Sequence, residues 1–277
     1  LQVEIIEPAF QPGLDEPRQA LRTALRQPIA RPPLAEMIQA DTKIGIILND
    51  MTRPTPSPLL LDAILAELPG IPDSNITLFV ALGTHRQNTC TELLEMLGER
   101  FLDRFRIIQN DAFDKTSQVQ LGLTRRGHPV WINRELMNCD MKLLTGFIEP
   151  HFFAGFSGGG KAVMPGMAGF DTIFANHGAE IIAHPNADWG ITTGNPIWEE
   201  IREITHLIDP TFLLNVSLNR DREVTGVFAG ALDEAHAAGC AYVKRTAMVP
   251  VPDYFDIVIT SNSGYPLDIN LYQSVKG

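Results

Sequence analysis

Apolar residues recur along the chain in short β-branched runs, separated by longer stretches of helical period. The runs at residues 43–50 (KIGIILND), 75–86 (NITLFVALGTHR), 105–111 (FRIIQND), 141–151 (MKLLTGFIEPH), 211–219 (TFLLNVSLN) and 255–262 (FDIVITSN) read as strands. Between them LLLDAILAEL, CTELLEMLG and residues 171–183, 196–206 and 232–246 read as helices, after a first short helix at 17–25. Strands alternating with helices predict βαβ units, hence an α/β fold with a mostly parallel sheet and flanking helices. Residues 28–33 read as a Pro-rich linker, and Arg126-Gly127 as the turn of a hairpin. No repeat of fixed period and no low-complexity segment interrupts this pattern.

Polar residues follow the strands. Asp50 and Arg53 come after the first, Thr84, His85 and Arg86 after the second, Glu149 and His151 after the fourth, and Ser261, Asn262 and Ser263 after the sixth. In an open parallel sheet the ligand crevice lies outside the carboxyl ends of the strands. These groups, far apart in sequence, are therefore expected to face one pocket.

Composition narrows the partners. With 277 residues and 44% hydrophobic residues the chain can bury a sizeable core. A formal net charge of -11 disfavours nucleic acid and anionic membranes as partners. The three cysteines, Cys90, Cys139 and Cys240, show neither disulfide-scaffold nor metal spacing, which fits a reducing cytoplasm. No run of about 18 apolar residues reads as a spanning helix, and the N-terminus has no signal-peptide pattern. The chain begins at Leu1 and stops in a loop-like stretch at Gly277, so a further C-terminal part is expected beyond it.

The chemistry-bearing stretch is EPHFFAGFSGGGKAVMPG. Gly155 to Lys161 reads G-x-x-x-x-G-K, close to a phosphate loop, but Ala162 stands where such a loop needs a magnesium-binding hydroxyl. Pro165 and Gly166 also predict that any helix starting there is short or broken. The glycines, Gly158 and Gly159 among them, allow close backbone approach to a ligand. Lys161 suits a phosphate contact or a covalent attachment. His85 and His151, each closing a strand, suit an acid/base pair, against the alternative of structural histidines. His177 and His184 lack zinc-signature partners, so a metal on a single histidine needs a cofactor to supply the other ligands. His128, His206 and His236 read as surface or structural. Asp50 and Arg53 suit ribose and phosphate or carboxylate contacts. Tyr272 and Lys276 share a face if their stretch is helical.

Taken together, DMTRPTP, GTHR, EPHFFAGFSGGGKAVMPG, NHG, GNPIWEE and YQSVK resemble the N-terminal domain of the nickel-pincer-nucleotide lactate racemase family, over residues 43–277. The resemblance implies the N-terminal domain of a two-domain α/β enzyme, residues 1–277 forming this cofactor-binding domain, with the active site between the domains. It implies a pyridinium mononucleotide bearing two sulfur groups and nickel, tethered to Lys161 through a thioamide, with His177 completing the nickel coordination. It implies His85 and His151 as alternating acid and base. Asp50 and Arg53 then hold nucleotide or substrate, and Tyr272 and Lys276 line the pocket. Gly160 departs from members that carry a basic residue there. The implied activity is racemisation or epimerisation of a 2-hydroxy acid by proton-coupled hydride transfer, and the implied partners are that acid and the cofactor-maturation enzymes. Rival readings are a nucleotide- or metal-binding module without turnover, and a glycine-loop phosphotransferase.

Overall fold

A computed structural model of the chain describes residues 3–209, 212–251 and 253–260. In chain order the strands are β1 (Ile44–Asn49), β2 (Ile76–Ala81), β3 (Arg106–Gln109), the pair β4 (Gln118–Leu123) and β5 (Pro129–Asn133), β6 (Met141–Phe147), the short pair β7 (Pro150–His151) and β8 (Gly155–Phe156), β9 (Phe212–Leu218) and β10 (Val224–Gly230). Six of them form one sheet in the order β10-β9-β6-β1-β2-β3. Neighbours pair in parallel except β9 and β10, which form an antiparallel edge. The chain therefore starts at the centre with β1, winds outward through β2 and β3, and returns to the other side of β1 with β6. That reversal between β1 and β6 is the topological switch point, where open α/β sheets bind ligands.

The central strands are apolar on both faces because helices cover both. Ile44, Ile46 and Leu48 of β1 pack into one core with Leu21, Leu25, Leu60, Leu61 and Ile64. Ile47 points the other way, into a second core with Phe79, Leu144, Ile201 and Leu213. The first group comes from α1 (Pro17–Arg26) and α2 (Ser57–Ala66). Each such aliphatic side chain contributes about 1.5–3 kcal/mol by leaving water. Helix α3 (Cys90–Leu97) starts at a capping box, in which Thr89 and Glu92 satisfy each other's backbone N–H groups. Short helices α4 (Glu99–Leu102), α5 (Arg134–Met137), α6 (Phe170–Asn176) and α7 (Ala179–Ile182) follow, then α8 (Pro196–Leu207) and α9 (Leu232–Ala247). Asn195 caps α8 by accepting from the N–H groups of Ile197 and Trp198.

Three expectations need correction. No strand forms at residues 255–260, where Ile257, Val258 and Ile259 are exposed. The edge beside β9 is instead taken by β10, which returns through a turn tied by Asn219 to Asp221 and Glu223. The fourth strand ends at Phe147 rather than His151, because the Glu149 N–H turns to Ser157 Oγ at 2.9 Å and Pro150 has no N–H to give. The helix expected at 171–183 breaks into α6 and α7 around His177 and Gly178. The hairpin expected around Arg126-Gly127 is β4–β5.

Candidate active site

A cavity of about 680 Å³ opens at the carboxyl ends of β1, β2 and β6. Asp50, Arg53, His85, His151, Gly158, Lys161 and His177 all line it. Gly159 does not, and Glu149 lines a second, separate cavity. Tyr272 and Lys276, with Ser261, Asn262 and Ser263, lie outside the described residues.

His85 stands in the loop that follows β2. Because β1 and β2 run parallel with Asn49 opposite Ala81, the loops after both strands leave the sheet at one end. Asp50 thus meets His85, with Nδ1 of the ring 2.6 Å from the carboxylate Oδ2. The other oxygen of this buried carboxylate accepts from Thr52 Oγ1 at 2.7 Å. A ring nitrogen facing a carboxylate is the protonated one. The neutral His85 ring therefore keeps its lone pair on Nε2.

His151 is supported differently. It sits on β7, pairs with Gly155 of β8, and is buried. Phe152 stacks on its ring at 4.9 Å between centroids, and Phe153 meets it edge-on at 4.6 Å. Its Nδ1 accepts from the backbone N–H groups of Phe153 and Ala154 at 3.5 and 3.3 Å, which are long, weak contacts. In the neutral ring the proton is then on Nε2.

Residues Gly159–Ala162 form one 3-10 turn, so no long helix begins at the glycine loop. Ala162 is buried and carries no hydroxyl for a magnesium ion. The glycines here fit the loop to the protein. Gly158 has φ +73°, and a Cβ there would come within 2.5 Å of Asn215 Oδ1. Gly159 has φ +55°, and a Cβ would meet the His236 ring at 2.7 Å. His236 is itself structural, buried with Nε2 2.9 Å from the Ser157 carbonyl, and burial pushes its pKa down. Lys161 is half-buried, with Nζ 5.6 Å from the centre of the Phe153 ring.

His177 is the residue that ends α6, and its ring meets Phe153 edge-on at 5.0 Å. Burial, and secondarily the Lys161 ammonium, push its pKa down to about 3. It is therefore a neutral imidazole at ordinary pH, the form that binds metals. Among the described residues no group of three or more His, Cys, Asp or Glu is placed to hold a metal ion by itself. A metal at His177 would thus need further donors from a bound group.

The sequence reading did not find Thr145 and Phe153 on the cavity wall, or the buried Glu200 and Asn176 behind His177. Glu200 left a legible signal. It falls on the apolar face of α8 with Ile197, Ile201 and Ile204, where a carboxylate needs a partner.

Residues 1–190 match the family model described as the lactate racemase N-terminal domain, and residues 252–277 match that of the lactate racemase C-terminal domain. A lactate racemase of Lactiplantibacillus plantarum is 39% identical over 261 residues, covering 94% of this chain and 61% of that protein. A lactate racemase of Thermoanaerobacterium thermosaccharolyticum is 38% identical over 261 residues, covering 93% of this chain and 60% of that protein. The chain thus spans about three fifths of these relatives. The solved lactate racemase apoprotein from T. thermosaccharolyticum superposes with a TM-score of 0.88 at 34% identity, over 100% of this chain and 67% of that one. A protein from Thermotoga maritima, 22% identical with a TM-score of 0.69, shares the fold over 83% of this chain and 59% of its own.

Proposed function

The chain belongs to the lactate racemase family, and from that premise we propose that it is the cofactor-holding part of an enzyme that racemises lactate or a related small 2-hydroxy acid. The reading is carried by one observation: His85, His151, Lys161 and His177 converge on a single cavity at the switch point of the sheet. Lys161 is the anchor for a nickel-pincer nucleotide, and His177 is the protein's ligand to its metal. When bound, that group supplies the hydride acceptor for the hydrogen on the hydroxyl-bearing carbon.

The protein's own task is then the hydroxyl proton. A C–H bond beside a hydroxyl is weakly acidic, so removing hydrogen as hydride is easier while a base takes the O–H proton. His85 takes that proton through Nε2, and the Asp50 carboxylate stabilises the imidazolium through Nδ1–H. His151 donates a hydrogen bond to the substrate oxygen through Nε2–H and serves the opposite enantiomer when its ring releases the Phe153 and Ala154 amides. Arg53 holds a carboxylate or phosphate of the bound molecules. The Phe153 ring, packed against His151 and His177 and facing the Lys161 ammonium, holds the three in register.

The test is to produce the protein with nickel and the cofactor-maturation enzymes, follow D- and L-lactate, and weigh the peptide bearing Lys161. Interconversion with a mass adduct on that peptide is expected. An unmodified Lys161 with no isomerisation of any 2-hydroxy acid overturns the proposal.

A further inference from the structure

Glu200 is a carboxylate only 2% exposed, on the inward face of α8. A buried carboxylate persists only when its oxygens are paired. Oε1 faces Thr124 Oγ1 at 2.6 Å and His128 Nδ1 at 2.8 Å, both at the turn of the β4–β5 hairpin. Oε2 accepts from Asn176 Nδ2 at 2.8 Å. The same amide nitrogen points its other hydrogen at the Ile197 carbonyl, 3.4 Å away. With both hydrogens committed, the Asn176 oxygen is turned to His177 Nδ1 at 2.9 Å.

This orientation is dictated. A reversed amide would aim its oxygen at a carboxylate and at a carbonyl, three acceptors without a hydrogen between them. An amide oxygen can only accept, so His177 Nδ1 must carry the hydrogen. The lone pair of the neutral ring is then on Nε2. We propose that Glu200, acting through Asn176, is a positioning group that locks His177 in the Nδ1–H tautomer and reserves the Nε2 lone pair for a metal held in the cavity. The purpose of the lock rests on the proposal that His177 is a metal ligand; the lock itself does not. Such partners behind a ligating histidine fix its tautomer and orientation.

The tautomer is read by long-range ¹H–¹⁵N NMR on the protein without nucleotide or metal, the signal being identified by its loss in His177→Gln. The wild type is expected to show one tautomer, protonated on Nδ1. Glu200→Gln keeps the volume but presents either an oxygen or an NH₂ to Asn176, so a mixture of tautomers is expected. The double variant Asn176→Asp/Glu200→Gln restores the polarity, because the new carboxylate accepts from both the new amide and His177 Nδ1–H. The single tautomer is expected to return, because the residue at 176 again presents only an acceptor to His177 Nδ1; the dependence on Glu200 itself is read from the single variant. A folded Glu200→Gln that keeps one Nδ1–H tautomer overturns the proposal, and so does a double variant that fails to restore it. If Glu200→Gln does not fold, Asn176→Leu decides: it removes the acceptor facing His177 Nδ1 and is expected to lose the single Nδ1–H tautomer, and keeping it overturns the proposal. In nickel-loaded protein, Glu200→Gln is expected to weaken nickel retention against a chelator by about 10- to 100-fold. A shifted tautomer with unchanged retention would uphold the lock and remove His177 from the metal.

Discussion

His85 and His151 line one cavity but are held by opposite means. His85 gives Nδ1–H to a buried carboxylate, at the end of the central strands. His151 accepts weakly from two backbone amides, on a two-residue flap packed between phenylalanine rings. The first ring, in its neutral form, keeps its lone pair on Nε2. The second is ready to donate a hydrogen bond, and must turn or loosen its amide contacts before it can accept a proton. Two histidines that look equivalent in the sequence are therefore not equivalent in the protein, and in the racemisation we propose one would start as the proton acceptor and the other as a donor.

The largest effect that separates them is on turnover. His85→Gln and His151→Gln are each expected to lose about 10²- to 10⁴-fold in kcat for racemisation. Single-turnover oxidation should survive for one enantiomer in the first variant and for the other in the second. Equal losses on both enantiomers in both variants would erase the distinction. Phe153→Ala comes next, with about 3–5 kcal/mol lost from unfolding free energy in denaturant melts, since this ring is buried. It meets the rings of His151 and His177 and faces the Lys161 ammonium, so NMR signals of the two rings and of the Lys161 side chain should shift while the His85 signal stays. Asp50→Asn should cost on the order of 10²-fold in kcat through misorientation of His85, with a mixed His85 tautomer and an unchanged one for His151.

The smallest effect is on acid stability. His177 titrates near 3 in the folded protein, below the ordinary 6.5. The unfolded chain therefore binds a proton that the native chain refuses. Stability from this residue is complete above about pH 6.5 and is lost as pH falls toward 3. Melts between pH 6.5 and 4.5, above the range of most carboxylates, should show a shallower decline in His177→Gln. Lys161→Met should raise the His177 pKa but leave it below 6.5, because burial is the larger cause.

How far the sequence carried follows from what each feature depends on. Strands β1, β2 and β6 are legible because burial on both faces makes them nearly continuous apolar runs. Strand β10 was missed because Gly226 and Gly230 dilute its apolar pattern, while the apolar run at 255–260 looked like a strand but has no sheet partner there. Most of the cavity residues were legible because they close or follow a strand or lie in the glycine loop, and parallel topology gathers those ends; His177, at the end of α6, was reached only through the family resemblance. The pairing of Asp50 with His85 was not, because it joins residues 35 positions apart through the β1–β2 register. Nor was the chain from Glu200 through Asn176 to His177, which exists only once α6 packs on α8. The glycines misled in part. Gly159 is excluded from carrying a side chain by His236 and is not on the cavity wall.

The central claim is that His85 and His151 handle the hydroxyl proton and never the hydrogen on carbon. It is tested most directly by racemising lactate in D₂O with nickel-loaded protein and following the C2 hydrogen by ¹H NMR. The expected result is loss of optical activity with the C2 hydrogen retained, since the histidines exchange only hydroxyl protons with solvent. Deuterium entering C2 at the rate of racemisation would contradict it, because a histidine would then be working on the carbon itself.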